Sequence, residues 1–230
     1  MMLGDGRVTE LRLLDGQRVA RISSPSGLTP APGQYTLARA SGTVDPLATP
    51  LFLLRADRGD WLCAPPVPPL WQPETRLDLR GPLGHGFELP SSAQRVAAVA
   101  PDGDCSRLLP LMHAALANGA SMTLVIDRPP EELPLQVEVQ PLGALVDVCR
   151  WSEYAAFDVK REHLPDLMAS LGRAGVREVG GGAEALVRTP MPCGALGDCG
   201  VCTVRSTRGP KLACKHGPVF DLSLLTVEGL

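Results

Sequence analysis

Between Cys193 and Cys202 the chain cannot be regular structure. Cys193-Gly-Ala-Leu-Gly-Asp-Cys199-Gly-Val-Cys202 is followed by Cys214, so four of the seven cysteines crowd toward the C-terminal end. Three share one loop punctuated by Gly194, Gly197 and Gly200, and the fourth arrives from a separate strand-like segment. Thiols that converge on a compact centre from one side need a backbone that wraps. Glycine supplies left-handed or otherwise strained angles at the least steric cost. It also leaves backbone N–H groups free to point at sulfur. No packed core needs four thiols at these spacings, so the segment reads as metal-ligating, and the rest of the chain must fold so as to present it.

The spacing separates the candidate metals. Plant-type [2Fe–2S] proteins use C-x4-C-x2-C with a distant fourth cysteine, and this chain reads C-x5-C-x2-C-x11-C. A structural zinc site presents two short Cys pairs, and here Cys199 and Cys202 form the one such pair. An iron–sulfur cluster is therefore the expectation, with zinc the alternative. The residues after Cys214 sharpen it. Lys215-His216-Gly217-Pro218-Val219-Phe220-Asp221, behind a Cys-Gly…Cys-x-x-Cys loop, resembles the C-terminal signature of the electron-transfer subunit of dihydroorotate dehydrogenase. That is the PyrK-type branch of the ferredoxin-reductase-like flavoproteins. The resemblance assigns Cys193, Cys199, Cys202 and Cys214 as the four ligands of a [2Fe–2S] cluster, in a pocket shaped by Gly194, Gly197 and Gly200. The departure is one extra residue in the Ala195–Asp198 span.

Composition narrows the remaining classes. A formal net charge of −3 gives no electrostatic case for nucleic acid or an anionic membrane. The N-terminus, Met1-Met-Leu-Gly-Asp-Gly-Arg, has no apolar core of signal-peptide length, and no later run approaches a membrane span. An odd number of cysteines clustered for ligation argues for a reducing cytoplasm. Cys63, Cys105 and Cys149 lie far from the cluster in sequence and are expected to be small buried hydrophobes. With 24 glycines and 23 prolines, short strands and many turns are favoured over long helices.

The first ninety or so residues read as an antiparallel barrel. Arg7–Leu14, Gln17–Ser23, Gln34–Ala40, Leu51–Ala56, Trp61–Ala64 and Arg76–Leu79 are the expected strands, with a two-residue turn at Asp15-Gly16. Three landmarks match the family's flavin-binding barrel: Pro32-Gly33-Gln34-Tyr35, Asp45-Pro46-Leu47, and Gly81-Pro82-Leu83-Gly84-His85-Gly86-Phe87. The flavin motif itself is altered. Where the family carries Arg-Pro-x-Ser, this chain has Thr49-Pro50-Leu51-Phe52, which offers no charge for a pyrophosphate and no polar atom near a flavin ring. The family's phosphate-holding Gly-Thr pair falls at Ala64-Pro65-Pro66-Val67-Pro68-Pro69, and prolines donate no N–H. FAD bound in the family's manner is not expected, and Trp61, Phe52 and Trp71 are expected to fill the space as core. FAD held by changed residues stays an alternative.

The middle of the chain alternates strand and helix, the pattern of a parallel sheet covered by helices. Arg95–Ala100, Met122–Asp127, Leu135–Val139, Leu145–Cys149 and Ala155–Val159 read as strands, and Cys105–Asn118 and Leu164–Leu171 as helices. A nucleotide-binding sheet carries a glycine-rich phosphate turn after its first strand, but here the turn is Pro101-Asp102-Gly103-Asp104. Two carboxylates repel a pyrophosphate by about 1–4 kcal/mol per pair at about 4 Å. They read better as helix caps. The family's Cys-Gly-Pro is replaced by the Lys160-Arg-Glu-His-Leu164 region, so NAD is not expected. Gly180-Gly181-Gly182 reads as a joint.

His85, His113, His163 and His216 show no ligand spacing among themselves. Arg205, Arg208, Lys211 and Lys215 give the cluster segment a positive bias, which suits either a solvated hairpin or an acidic partner. The sequence thus predicts an α+β chain of three parts: a barrel over 1–92, an α/β unit over 93–182 and a cluster-binding segment over 183–230. The resemblance implies an iron–sulfur electron-transfer subunit tied to pyrimidine biosynthesis. It would not be catalytic alone, and would work in a hetero-oligomer with a flavoprotein catalytic subunit of the dihydroorotate dehydrogenase kind. An intact FAD reductase subunit and a zinc-stapled scaffold without redox function are the alternatives.

Overall fold

The computed structural model describes residues 2–43, 47–57, 59–177 and 182–226. Asp45 and Pro46 of the second barrel landmark, and Gly180 and Gly181 of the joint, lie outside the described residues.

Six strands close a barrel: β1 (Met2–Leu14), β2 (Gln17–Ser23), β3 (Tyr35–Ala40), β4 (Thr49–Ala56), β5 (Asp60–Cys63) and β6 (Arg76–Leu83), in the order β1-β2-β5-β4-β3-β6. Every pairing is antiparallel. Asp15 and Gly16 both take positive φ, 48° and 73°, the geometry that lets a two-residue turn follow the twist of its flanking strands. The two-residue period sorts β4 cleanly. Leu51 and Leu53 point into a barrel core with Val8, Ile22, Trp61, Trp71, Leu77 and Leu79. Phe52 and Leu54 point outward into the larger core shared with the α/β unit.

That unit holds β7 (Arg95–Val99), β8 (Ser121–Val125), β9 (Val137–Gln140), β10 (Tyr154–Lys160), β11 (Ala183–Arg188) and β14 (Val219–Asp221), ordered β14-β11-β10-β7-β8-β9. All pair in parallel except β14, which runs antiparallel to β11. Helix α1 (Leu109–Ala117) packs on β4 across the seam between the two units. It starts four residues later than expected, because Cys105–Leu108 forms a turn and Pro110 sits in the first helical positions, where a missing N–H costs nothing. The segment Leu145–Cys149 is not a strand. It is helix α2 (Leu145–Trp151), burying Leu145, Val148 and Cys149 at helical spacing. A short apolar run cannot distinguish the two periods. Helix α3 (Leu164–Arg177) kinks at Gly172, φ 62°.

Cys63, Cys105 and Cys149 are buried, and burial pushes each thiol up to about 12, as for an inert small hydrophobe.

Candidate metal centre and the crevice beside it

After β11 the chain leaves the sheet, forms the cysteine loop, a hairpin of β12 (Thr203–Ser206) and β13 (Gly209–Leu212), and a single turn α4 (Ala213–His216). It then returns as β14, pairing Glu184 with Asp221, Ala185 with Phe220 and Leu186 with Val219. Both ends of the excursion are pinned to one strand. This folds Cys214 back against a loop that begins five residues after Arg188.

The sulfurs lie in two pairs. Cys193 and Cys199 are 3.5 Å apart, and Cys202 and Cys214 are 3.3 Å apart. With metal–sulfur bonds of about 2.3 Å, two thiolates on one tetrahedral metal lie about 3.8 Å apart. Each pair is therefore close to one edge of a metal's coordination shell. Among the described residues no three Cys, His, Asp or Glu side chains converge as a single ion requires. The four thiols are thus presented as two pairs. The pairs also differ in setting. Cys202 and Cys214 are buried, Cys193 is half-buried and Cys199 exposed. Hydrogen bonding from the Gly197 backbone, then from the Cys199 thiol, holds Cys193 down to about 7, whereas burial, reinforced by Cys202, pushes Cys214 up to about 12.

Gly194 and Gly200 take the positive φ expected of the loop, 49° and 76°. Gly197 does not. The third left-handed residue is Ala195, φ 68°, and Gly197 instead turns its backbone toward Cys193.

The floor of the loop is the barrel. Tyr35 Oη donates to the carbonyl of Cys214 at 2.9 Å, and Arg80 Nη2 donates to the carbonyl of Gly194. A Cβ at Gly194 would strike Leu37. The two described barrel landmarks and the cluster signature meet in one knot. His85 N donates to Gly217 O at 2.6 Å, Phe87 N to Pro32 O at 3.0 Å, and Gln34 Nε2 to Gly84 O at 3.2 Å. Gly84, φ 74°, lies so close that a Cβ there would collide with the Gly217 carbonyl. Sequence reasoning takes these motifs as flavin-barrel turns and misses Tyr35 and Arg80 as neighbours of the cysteines. A buried tyrosine needs a partner for its hydroxyl, but nothing in the sequence says which.

Outward, Leu196 is 77% exposed and Val201 43%, flanking Cys199. Lys215 Nζ meets Asp198 at 2.6 Å across the loop mouth, so part of the basic bias is neutralised at the rim. Arg161 ties the hairpin to the body through the carbonyls of Val201 (2.7 Å) and Thr203 (3.1 Å). His216 Nδ1 accepts from Leu212 N, and His113 Nδ1 lies 2.8 Å from Leu109 O; both are local backbone contacts.

In open parallel sheets ligands bind beyond the strand ends where the strand order reverses, here between β7 and β10. That place is occupied by an ion network. Arg107, 4% exposed, meets Asp104 at 2.7 Å, Asp158 at 3.1 Å and the Pro65 carbonyl at 2.5 Å. Arg188 joins Asp158 at 2.7 Å and Asp102 at 2.5 Å. Asp102 also accepts from the Lys160 amide and contacts His163. Burial pushes Asp102 up, but the His163 contact, the Lys160 amide and the Arg188 charge outweigh it and hold its carboxyl below the usual range. Asp104 accepts from Ser106 N within the turn, and the α1 N-cap is Leu108, so neither carboxylate caps the helix as the sequence predicts. On the barrel side Phe52 packs against Tyr35, ring centroids 6.0 Å apart, with Arg107 5.8 Å from its own ring centre. Thr49, Pro50, Leu51 and Phe52 lie on β4, with Leu51 and Phe52 in the two cores and Thr49 and Pro50 half-buried. These residues do not fit a flavin or nicotinamide nucleotide held in the family's manner.

Barrel, parallel sheet and C-terminal cysteine segment together make a ferredoxin-reductase-like fold. The fold is shared with NADH-dependent reduced ferredoxin–NADP oxidoreductase (TM-score 0.74, 17% identity, 96% of this chain and 89% of that one). It is shared also with the ferredoxin reductase of carbazole 1,9a-dioxygenase (0.62, 13%, 81% and 69%) and with phthalate dioxygenase reductase (0.56, 13%, 89% and 87%). More particularly, residues 189–226 match the iron–sulfur cluster binding domain of dihydroorotate dehydrogenase B. Among the described residues no helix is long and apolar enough to cross a membrane.

Proposed function

We propose that the chain is a one-electron relay, an iron–sulfur subunit that serves a flavoprotein partner of the dihydroorotate dehydrogenase type in a cytoplasmic hetero-oligomer. The observation that carries this is the pairing of the four sulfurs. Cys193 and Cys199 would hold one iron of a [2Fe–2S] cluster, and Cys202 and Cys214 the other. When bound, such a cluster takes up and releases one electron without a proton or a bond change. The chain's own residues do the rest. The Gly197 backbone and neighbouring amides face the outer pair, Leu37 packs on Gly194 beside it, Tyr35 covers the inner pair at Cys214, and Cys199 meets solvent where a partner can approach. Phe52 and the Arg107 network favour a relay over a self-contained flavin reductase, and two separate sulfur pairs favour two irons over zinc.

Iron and inorganic sulfide in anaerobically purified protein test the reading. About two of each per chain, with visible absorbance bleached by dithionite, are expected for this cluster type. Serine at Cys193, Cys199, Cys202 or Cys214 should lower both contents. Zinc without sulfide, or metal content indifferent to all four replacements, would refute it.

A further inference from the structure

Two barrel side chains hydrogen-bond to the cysteine segment, and neither belongs to a ligand motif. Tyr35 is fully buried on β3. Its hydroxyl donates to the backbone carbonyl of Cys214 at 2.9 Å. Arg80, on β6, donates to the carbonyl of Gly194, the residue after Cys193. One barrel residue therefore grips each sulfur pair through the backbone of, or next to, a cysteine. The grip comes from outside the segment that carries the thiols. In sequence Tyr35 is 179 residues from Cys214, and Arg80 is 114 from Gly194.

Such contacts act on a redox centre in two ways. They fix ligand orientation, as outer hydrogen bonds do for any metal site. They also place positive potential beside a centre that becomes more negative on reduction, and net charge and hydrogen bonding are among the factors that set iron–sulfur potentials. The guanidinium of Arg80 and the hydroxyl proton of Tyr35 both have the sign that favours the reduced form. Leu37 and the Tyr35 ring are buried on this side and Arg80 is half-buried, so solvent screening is reduced, more at Tyr35 than at Arg80.

We infer that Tyr35 and Arg80 are positioning residues that seat the cluster loop on the barrel and raise the reduction potential of the centre it holds. This rests on the cluster reading above. It gives the barrel a task of its own, as the platform of the electron carrier rather than a flavin module.

The test compares wild type with Arg80→Gln, Arg80→Lys and Tyr35→Phe by anaerobic redox titration followed by visible absorbance and electron paramagnetic resonance. Iron, sulfide and the thermal melt are measured on the same samples. Arg80→Gln should lower the reduced-to-oxidised ratio at a fixed poise about tenfold, equivalent to about 59 mV for a one-electron couple. Arg80→Lys should restore most of it, and Tyr35→Phe should give a smaller fall in the same direction. Loss of iron from Arg80→Gln with an unchanged melt of the remaining chain would also bear out the seating role. Full iron with unchanged potential and resonance in both Arg80→Gln and Tyr35→Phe overturns the inference while leaving the cluster reading intact. Wild-type protein without iron and sulfide overturns both.

Discussion

Replacing Arg107 by methionine should destabilise the protein severely. The guanidinium serves Asp104, Asp158 and the Pro65 carbonyl at once, and Asp158 has no exposure at all. Methionine fills similar volume and keeps a contact with Phe52, so packing is largely spared. What is lost is charge compensation. Asp158 keeps one cation, Arg188, and Asp104 keeps its bond from Ser106. Breaking a buried ion pair by removing one partner costs about 3–5 kcal/mol, chiefly because the other charge stays buried. For a chain of this size each kcal/mol moves the melting temperature by about 2–4 °C, so a fall of roughly 6–20 °C is expected. The assay is a calorimetric melt at neutral pH of wild type, Arg107→Met and Arg107→Met with Asp158→Asn.

The double variant decides the mechanism. Neutralising both partners removes the uncompensated charge, and replacing a whole buried pair is often close to neutral. At least half of the loss should return. A single variant within about 1 kcal/mol of wild type, or a double variant no more stable than the single, would refute the reasoning. The network would then be too loosely held to close the crevice, and the case against a nucleotide there would lose its footing.

Asp102→Asn should melt below wild type at neutral pH. A carboxyl held below its unfolded value stabilises the fold above that value, about 3.9, and loses the contribution as pH falls through the lower folded value; the gap between the two proteins should therefore be full above roughly pH 5 and close in stronger acid, as read by melts along a pH series. Arg161→Ala removes the donor to Val201 and Thr203. A charged donor's bond is worth about 1.5 kcal/mol and two are lost, so amide exchange over the β12–β13 hairpin should quicken by between roughly tenfold and a hundredfold while β7 to β11 exchange as before.

The barrel is legible in the sequence because its strands alternate over long enough runs, and a Gly-containing turn marks the first hairpin. The cysteine set is legible from spacing, and the pairing of first with second and third with fourth is not, since it depends on how β14 returns to β11. Leu145–Cys149 misleads because five apolar-rich residues fit either period. Asp102 misleads because its partners, Lys160 and Arg188, are 58 and 86 residues away. A carboxylate just before a helix looks like a cap until the fold brings a competing donor to it. Ala195 shows the opposite limit. Glycine marks where a left-handed residue is cheap, but the loop's other contacts decide where one is used.

The landmarks that make the chain look like a flavin barrel have a second explanation in this structure. Pro32–Tyr35 and Gly81–Phe87 touch Gly217, Pro218 and Val219 of the cluster segment, through the backbone bond at His85 and the close approach at Gly84 and Gly33. Thr49–Phe52, which touches no part of that segment through any described hydrogen bond, is where the sequence departs from the family's flavin motif. A barrel that kept its cluster-facing turns for packing reasons would show this division whether or not a cofactor occupied its other face. The motifs therefore testify to how the cysteine loop is mounted, and the question of flavin falls to Phe52 and Arg107 alone.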